Sequence, residues 1–322
     1  MNTIDVSIII VSWNTRDILQ KCLASIYEQD GDIELEIIVI DNASTDDSAE
    51  MVRKNFPQVC LIENSENRGF AAANNQGIKI AKGRYVLLLN PDTIVLDNAI
   101  DKTISFADTN PSVGIVGCQV LENSQTVQMT CFRFPDIVNL FFSTFWINKI
   151  FKYNRIFGRE WMLWWRRDSQ REVDVITGSF MLARCKAIDE VGLMDEDYFL
   201  YYEETDWCYR FKKAGWKILF WPGAKIIHWH GGSNSSKQDA LKMFVQFQKS
   251  LLIFFRKNYG WLHFIAARLL LIISFGLRCF SWRLMVFFRG AIGNNINKEK
   301  EKLIKNWVAF KYCAFGAMPK NV

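Results

Sequence analysis

Several signatures are missing from this chain, and each gap narrows the chemistry. There is no G-x-G-x-x-G and no G-x-x-x-x-G-K, which weighs against dinucleotide dehydrogenases and P-loop enzymes. There is no G-x-S-x-G elbow and no H-E-x-x-H helix, so common hydrolase and zincin mechanisms lose their motifs. The eight cysteines contain no C-x-x-C pair and are scattered, several inside apolar patterns. That pattern implies reduced cytosolic thiols rather than a disulfide framework or a zinc site. The net charge of +5 is too small to imply a nucleic-acid partner, and none is expected. The start, MNTIDVSIIIVSWN, lacks a basic leader and reads as a first strand rather than a signal peptide. No acid occurs from Ala240 to Asn297.

What is present alternates strand and helix over the first third. VSIIIVSW is a near-continuous apolar run, as a strand buried on both faces requires. The next segment carries Ile18, Leu19, Cys22, Leu23 and Ile26 on one helical face, with Asn14 or Thr15 as the cap. EIIVIDNAS is a second strand, and Ser44 or Thr45 is positioned to cap a helix running to Phe56. QVCLIEN, the glycine-bounded helix NRGFAAANNQGIKIAKG and RYVLLLNPDT follow. This order predicts a parallel sheet with right-handed crossovers, and ligands bind beyond the carboxyl ends of such strands. Four strand ends therefore matter: Ser12-Trp13-Asn14, Asp41-Asn42, Glu63 to Arg68, and Asn90-Pro91-Asp92. Further on, SVGIVGCQVL reads as a strand, and VDVITGSFMLARC as one strand or two turned at Gly178. A helix through DWCYRFKKAG stops at Gly215, and two short strands are expected in WKILFWPGAKIIHWHGG.

Residues 131 to 171 are rich in aromatic and basic side chains and read as an acceptor-side loop. Within Trp261 to Phe288, Arg268, Arg278, Arg283 and the following Arg289 fall in an arc of about 140° at roughly 100° per residue. The longest uncharged run there, Leu269 to Leu277, is far short of the roughly 20 residues a spanning helix needs. The pattern fits a helix lying in an anionic membrane surface; packing on the protein itself and a tilted span with snorkelling arginines stay open.

Some residues could carry chemistry. Asp41 can accept from a nucleobase imide or a ribose hydroxyl, or it can serve as a turn and cap residue. Pro91 ends strand pairing and fixes the aim of Asp92, which suits a divalent cation bridging phosphates; a turn with a helix cap is the plainer reading. Glu203, Glu204 and Asp206 open a helix, where acids are ordinarily favoured, and Asp206 can pair with Arg210. A carboxylate among the tyrosines of DEDYFLYY can also have a raised pKa and act as a base. His228 and His230 alternate on a strand, so one points inward, as a structural residue or a metal ligand.

Taken in order over about residues 4 to 235, VSIIIVSWN, VIDNASTDDS, ENRGFAAANNQGI, GRYVLLLNPDT, PSVGIVG, VITGSFMLAR, VGLMDEDYFLYYEETDWCYRFKKAGW and PGAKIIHWHGG resemble a family-two inverting glycosyltransferase, specifically its rhamnosyltransferase-like branch. The resemblance implies an α/β GT-A fold with a Rossmann-like, mostly parallel sheet over residues 1–238. About 1–115 would form the nucleotide-sugar half and 116–238 the acceptor half. Residues 239–322 would form a basic, apolar helical region associated with the membrane. By the same resemblance Ser12, Asp41 and Arg68 line the nucleotide pocket, with Asp41 on the base. Asn90 and Asp92 stand where the family has D-x-D, Asn90 toward the ribose and Asp92 on the metal. Glu204 is the general base, with Glu203 its rival or support, and His228 completes a site for Mg2+ or Mn2+. His230 receives no role. The implied partners are a dTDP- or UDP-sugar donor, a glycan or lipid-linked glycan acceptor and a membrane surface. The implied location is the cytoplasmic face of the cell membrane, peripheral or monotopic.

Overall fold

A strand covered on both faces needs apolar side chains at successive positions, and the first and fourth strands supply them. The computed structural model describes residues 4–122, 126–229, 240–292 and 295–316. The amino-terminal half runs β1 (Val6–Ser12), α1 (Arg16–Tyr27), β2 (Leu35–Asp41), α2 (Ser48–Asn55), β3 (Cys60–Glu63), α3 (Phe70–Ile80) and β4 (Tyr85–Leu89). Then come β5 (Thr93–Val95), α4 (Ala99–Asp108), β6 (Val113–Leu121), β7 (Cys131–Phe132), α5 (Ile137–Thr144) and α6 (Ile147–Ile150). The chain continues through β8 (Arg171–Glu172), β9 (Val175–Ile176), β10 (Phe180–Arg184), α7 (Cys185–Val191), α8 (Glu203–Lys213) and β11 (Lys217–His228). It ends with α9 (Ala240–Phe254), a π-helical turn (Phe255–Tyr259), α10 (Trp261–Ala291) and α11 (Asn297–Phe315).

The main sheet has the order β3-β2-β1-β4-β10-β6-β11-β5. β1 to β4 are parallel, as expected, and β6 is parallel to β11. β10 runs antiparallel to both β4 and β6, and β5 antiparallel to β11. Alternate side chains of the strands feed two cores. Ile8, Ile10, Val39 and Leu87 pack with α1, α2 and α4, while Ile9, Ile38, Val86 and Leu88 pack with α3, α7 and α8. Strand order reverses between β1 and β4, so the crevice beyond their carboxyl ends is the switch point where such sheets bind ligands. All eight cysteines are free thiols.

Local expectations need three corrections. Neither Ser44 nor Thr45 caps α2, which starts after Asp47. The Ser44 hydroxyl instead accepts from the Asn14 amide, and the Thr45 amide donates to the Asn14 side chain. β11 is one strand rather than two; a register shift between Phe220 and Lys225 absorbs Pro222 and Gly223. Residues 135–160 group with the carboxy-terminal helices, not with the sheet: one compact unit is Met1–Phe134 with Trp161–Gln238, the other Pro135–Glu160 with Asp239–Val322.

Within the second unit, α10 is long and apolar enough by length and composition to cross a membrane, which the short uncharged run in its sequence does not suggest. Part of its charge is met by α11. Arg268 donates to the carbonyls of Cys313 and Ala314 at the end of α11 (2.6 and 3.0 Å), and Arg289 pairs with Glu299. The helix also exposes Leu262, Ile265, Leu269, Ile273, Phe280 and Phe287, an apolar stripe with the exposed Arg283 at its margin. Two arginines of the expected basic stripe, Arg268 and Arg289, are thus engaged by α11, while Arg283 is exposed.

Gly69 carries the tightest constraint near the crevice. Its φ is +82°, and a Cβ there would lie 2.4 Å from the Phe199 carbonyl oxygen and 2.8 Å from the Phe199 ring. Gly69→Ala is expected to cost about 1–3 kcal/mol through backbone strain and displacement of the Phe199 loop. Urea unfolding reads this as a lower midpoint; an unchanged midpoint would show that the close approach is dispensable.

Candidate active site

Asn90-Pro91-Asp92 leaves β4 at the switch point. Pro91 cannot extend the ladder, and the chain turns into the three-residue β5. Pairing of β5 with β11 sets Thr93 opposite His228. The Asp92 carbonyl accepts from the Trp229 amide at 2.9 Å. These backbone contacts bring the Asp92 Oδ1 to 3.1 Å from His228 Nε2, with both side chains largely buried. The Asn90 amide lies 3.3 Å from the same ring nitrogen.

The histidine's tautomer follows from its other neighbour. Gln128 Nε2 donates to the His228 carbonyl (2.6 Å), so Gln128 Oε1 faces His228 Nδ1 at 2.9 Å and accepts its proton. Nε2 faces the Asp92 carboxylate and the Asn90 side chain. A pair of this kind would suit a divalent cation. The donor set of one carboxylate and one imidazole fits such an ion when phosphate and water oxygens complete its shell. Among the described residues there is no cluster of three or more His, Cys, Asp or Glu.

Beside it, the ends of β1 and β2 are in register, with Ser12 opposite Asp41. The Ser12 hydroxyl is occupied by the Thr15 hydroxyl at 2.7 Å. Asp41 Oδ2 accepts from the Ser44 amide at 2.9 Å, while Oδ1 is buried with no hydrogen-bond partner. Such an oxygen is costly in isolation and suits a donor that arrives with a ligand. Asn42 fixes the neighbouring loop: its side chain bonds Asn67, the Gly69 carbonyl, Asn64 and the Arg68 amide. Arg68 is thereby held next to Asp41 by its backbone, and its side chain is exposed.

The acid pair stands separately, on α8. Tyr201 and Tyr202 enter the helix with φ of 67° and 69°, consecutive left-handed residues without glycine. The preceding Phe199 carbonyl accepts from the Phe70 amide at 2.8 Å, tying this loop to the start of α3. Glu203 is 3% exposed, and Oε2 of both Glu203 and Glu204 is shut from solvent with no partner. Burial, and then the charge of Glu204, pushes Glu203 well above the usual carboxylate range. Burial pushes Glu204 up to about 7. Cys208, one turn beyond Glu204, hydrogen-bonds the Ile176 backbone of β9, so this face of α8 is turned toward the Thr177-Gly178-Ser179 turn. That turn meets both halves of the crevice: the Ser179 carbonyl accepts from the Asn90 amide, and Gly178 abuts the Phe70 ring. Asp206 is occupied by Arg210 at 2.8 Å, the i,i+4 pair its spacing suggests.

The structure thus joins Asn90, Asp92 and His228 directly, and Ser12, Asp41 and Arg68 through strand ends. His230 lies outside the described residues. Gln128 escaped the sequence reading, because nothing in its neighbourhood marks it and its role exists only through β11. Asn42 sat beside Asp41 in DNAS, and Thr177 to Ser179 lay within VITGSFMLAR, without assigned roles.

The sequence profile of glycosyl transferase family 2 matches residues 7–192. The chain belongs to that family. It is a glycosyltransferase of the hexosyltransferase class, with the mixed, mostly parallel sheet of the GT-A fold. It is 24% identical over 246 residues to N-acetylglucosaminyl-diphospho-decaprenol L-rhamnosyltransferase of Mycobacterium tuberculosis, covering 70% of this chain and 76% of that one. It is 35% identical over 105 residues to UDP-Glc:alpha-D-GlcNAc-diphosphoundecaprenol beta-1,3-glucosyltransferase WfaP of Escherichia coli, covering 32% of this chain and 41% of that one. Among solved structures, the fold matches mannosyltransferase PcManGT from Pyrobaculum calidifontis in complex with GDP-Man and Mn2+. The TM-score is 0.59 at 16% identity, over 96% of this chain and 87% of that one.

The buried acid predicts a pH dependence of stability. In the glycosyltransferase Glu204 binds its proton up to about 7, against an ordinary value of 4.5. Between those values the folded protein holds a proton the unfolded chain has lost, so stability falls as pH rises. Glu204→Gln removes that loss. Melting temperatures across this window are expected to fall less for the variant than for wild type; parallel curves would contradict the raised acidity constant.

Proposed function

We propose that the enzyme transfers a sugar, rhamnose from dTDP-rhamnose, to a hydroxyl of a lipid-linked precursor of a cell-surface polysaccharide, by a single displacement that inverts the anomeric centre. The observation that carries this is the Asp92–His228 pair at the sheet's switch point in a family-two chain. The donor and acceptor chemistry is supported by the mycobacterial relative, named for a rhamnosyl transfer to a diphospho-polyprenol. A UDP-sugar is the second reading, favoured by the Escherichia coli relative named for UDP-Glc.

In this reading Asp41 Oδ1 accepts from the nucleobase, beside Ser12 and Arg68, and Asn90 turns to the ribose. Asp92 and His228 would hold Mg2+ or Mn2+, which supplies Lewis-acid stabilisation of the diphosphate leaving group. Gln128 keeps the His228 Nε2 lone pair directed at that position. Glu204 removes the proton of the acceptor hydroxyl as it attacks the anomeric carbon, through an oxocarbenium-like state. Glu203, held protonated by burial, adds no second charge and leaves Glu204 as the acid that ionises near neutrality. The second unit would keep the enzyme at the cytoplasmic face of the membrane, peripherally or monotopically, where such acceptors are reached.

A thermal-shift titration against a panel of dTDP- and UDP-sugars with Mn2+ tests the donor, with the largest shift expected for dTDP-rhamnose. Release of pyrophosphate instead of nucleoside diphosphate during turnover would overturn the transferase reading. Asp92→Ala is expected to abolish the metal-dependent part of donor binding; undiminished affinity with metal present would remove Asp92 from the site. Glu204→Gln is expected to lower kcat by about 10²–10⁴-fold with donor binding retained. Wild-type turnover in that variant would exclude Glu204 as the base.

A further inference from the structure

The segment between Asp136 and Glu160 contains no acid, like Ala240 to Asn297, and both stretches belong to the same compact unit. It is a closed excursion. The Asp136 carboxylate caps α5 through the Asn139 amide (2.8 Å) and accepts from Arg159 (2.5 Å), and Arg159 also donates to Asn139 (2.7 Å). These bonds clamp its two ends together. Phe157 anchors the interior, with its ring 5.1 Å from Phe142 and 5.4 Å from Phe151. α5 packs on α10, and the Thr144 hydroxyl reaches the Leu270 carbonyl at 3.4 Å.

The outside of the excursion is apolar where a soluble surface would be polar. Ile150, Phe151, Tyr153 and Ile156 are 72%, 51%, 64% and 63% exposed. Lys149, Lys152 and Arg155 stand among them, with the Lys152 ammonium 4.8 Å from the Tyr153 ring centroid. Exposed aromatic and branched side chains interleaved with cations, without one acid, match the headgroup boundary of an anionic bilayer. A protein partner bound through polar contacts would have no need of four large apolar side chains in solvent.

We infer that residues 137–158 are a second membrane-docking element that acts with the exposed stripe of α10 on a bilayer carrying anionic lipid, rather than a loop that selects the acceptor. The inference rests on the membrane association proposed above and assigns it a second contact.

The test uses the full chain in flotation with vesicles of phosphatidylcholine alone or with phosphatidylglycerol. The variants are Phe151→Asp with Ile156→Asp, and Lys149→Glu with Lys152→Glu. The substituted side chains are exposed, and circular dichroism checks the fold. The apolar variant is expected to partition at least about tenfold less onto the mixed vesicles. The charge variant is expected to lose the preference for phosphatidylglycerol. Both should transfer sugar to a lipid-free acceptor at the wild-type rate. Wild-type partitioning of both variants would overturn the inference. So would loss of lipid-free transfer with vesicle binding intact, or a wild-type dimer in sedimentation that the apolar variant dissolves. Wild-type protein that binds neither vesicle would defeat the membrane association itself and leave the sugar-transfer reading standing.

Discussion

Antiparallel pairing of β5 with β11 is the constraint on which the crevice depends. Asn90 and His228 are 138 residues apart, and no local contact could bring them together. Pro91 prevents β4 from simply continuing, so Thr93 begins a new strand against β11. The turn is held from below as well: the Thr93 hydroxyl donates to the Asn90 carbonyl (2.7 Å), and the buried Cys22 thiol lies within reach of both. Asp92 is thus positioned by backbone bonds on either side. A site fixed in this way pays little reorganisation when a charged ligand arrives.

The strands β1, β2 and β4 were legible because each is a largely buried apolar run. Their ends were legible too, since polar residues at the mouth of a parallel sheet have few structural duties. Two kinds of feature were not. β5 has three residues, too few for periodicity to register, and its partner β11 contains Pro222-Gly223, which reads as a break. The second kind is long-range grouping. Residues 135–160 lie between two sheet segments in the chain and read as part of their domain, yet their helix α5 packs on α10. Sequence adjacency gave the wrong neighbour, and only tertiary packing could correct it. The same holds for part of α10, where Arg268 and Arg289 find their partners only on α11.

Charge is sorted sharply along this chain. Oxygens of Asp41, Glu203 and Glu204 are buried without partners in the first unit. Each such atom costs stability unless something donates to it. The second unit shows the reverse, with two long stretches lacking acids altogether.

The turn into α8 links backbone strain to acidity. A helix begun by serine or aspartate satisfies its first amides with the cap's own oxygen. Tyr202 has no such oxygen to offer, and with Tyr201 it occupies a region that costs roughly 1–3 kcal/mol per non-glycine residue. The arrangement persists because the Phe199 carbonyl is held by the Phe70 amide and the Tyr202 carbonyl by the Asp206 amide. Glu203 and Glu204 then occupy a first turn beside the half-buried Tyr201, whose own hydroxyl is pushed up by burial and by both glutamates. A first turn facing water would leave Glu204 an ordinary carboxylate, stabilised as an anion by the helix dipole. Strain at two tyrosines, together with the absent side chain at Gly69 that admits Phe199, is what keeps this carboxylate out of water and basic enough to accept a proton near neutral pH.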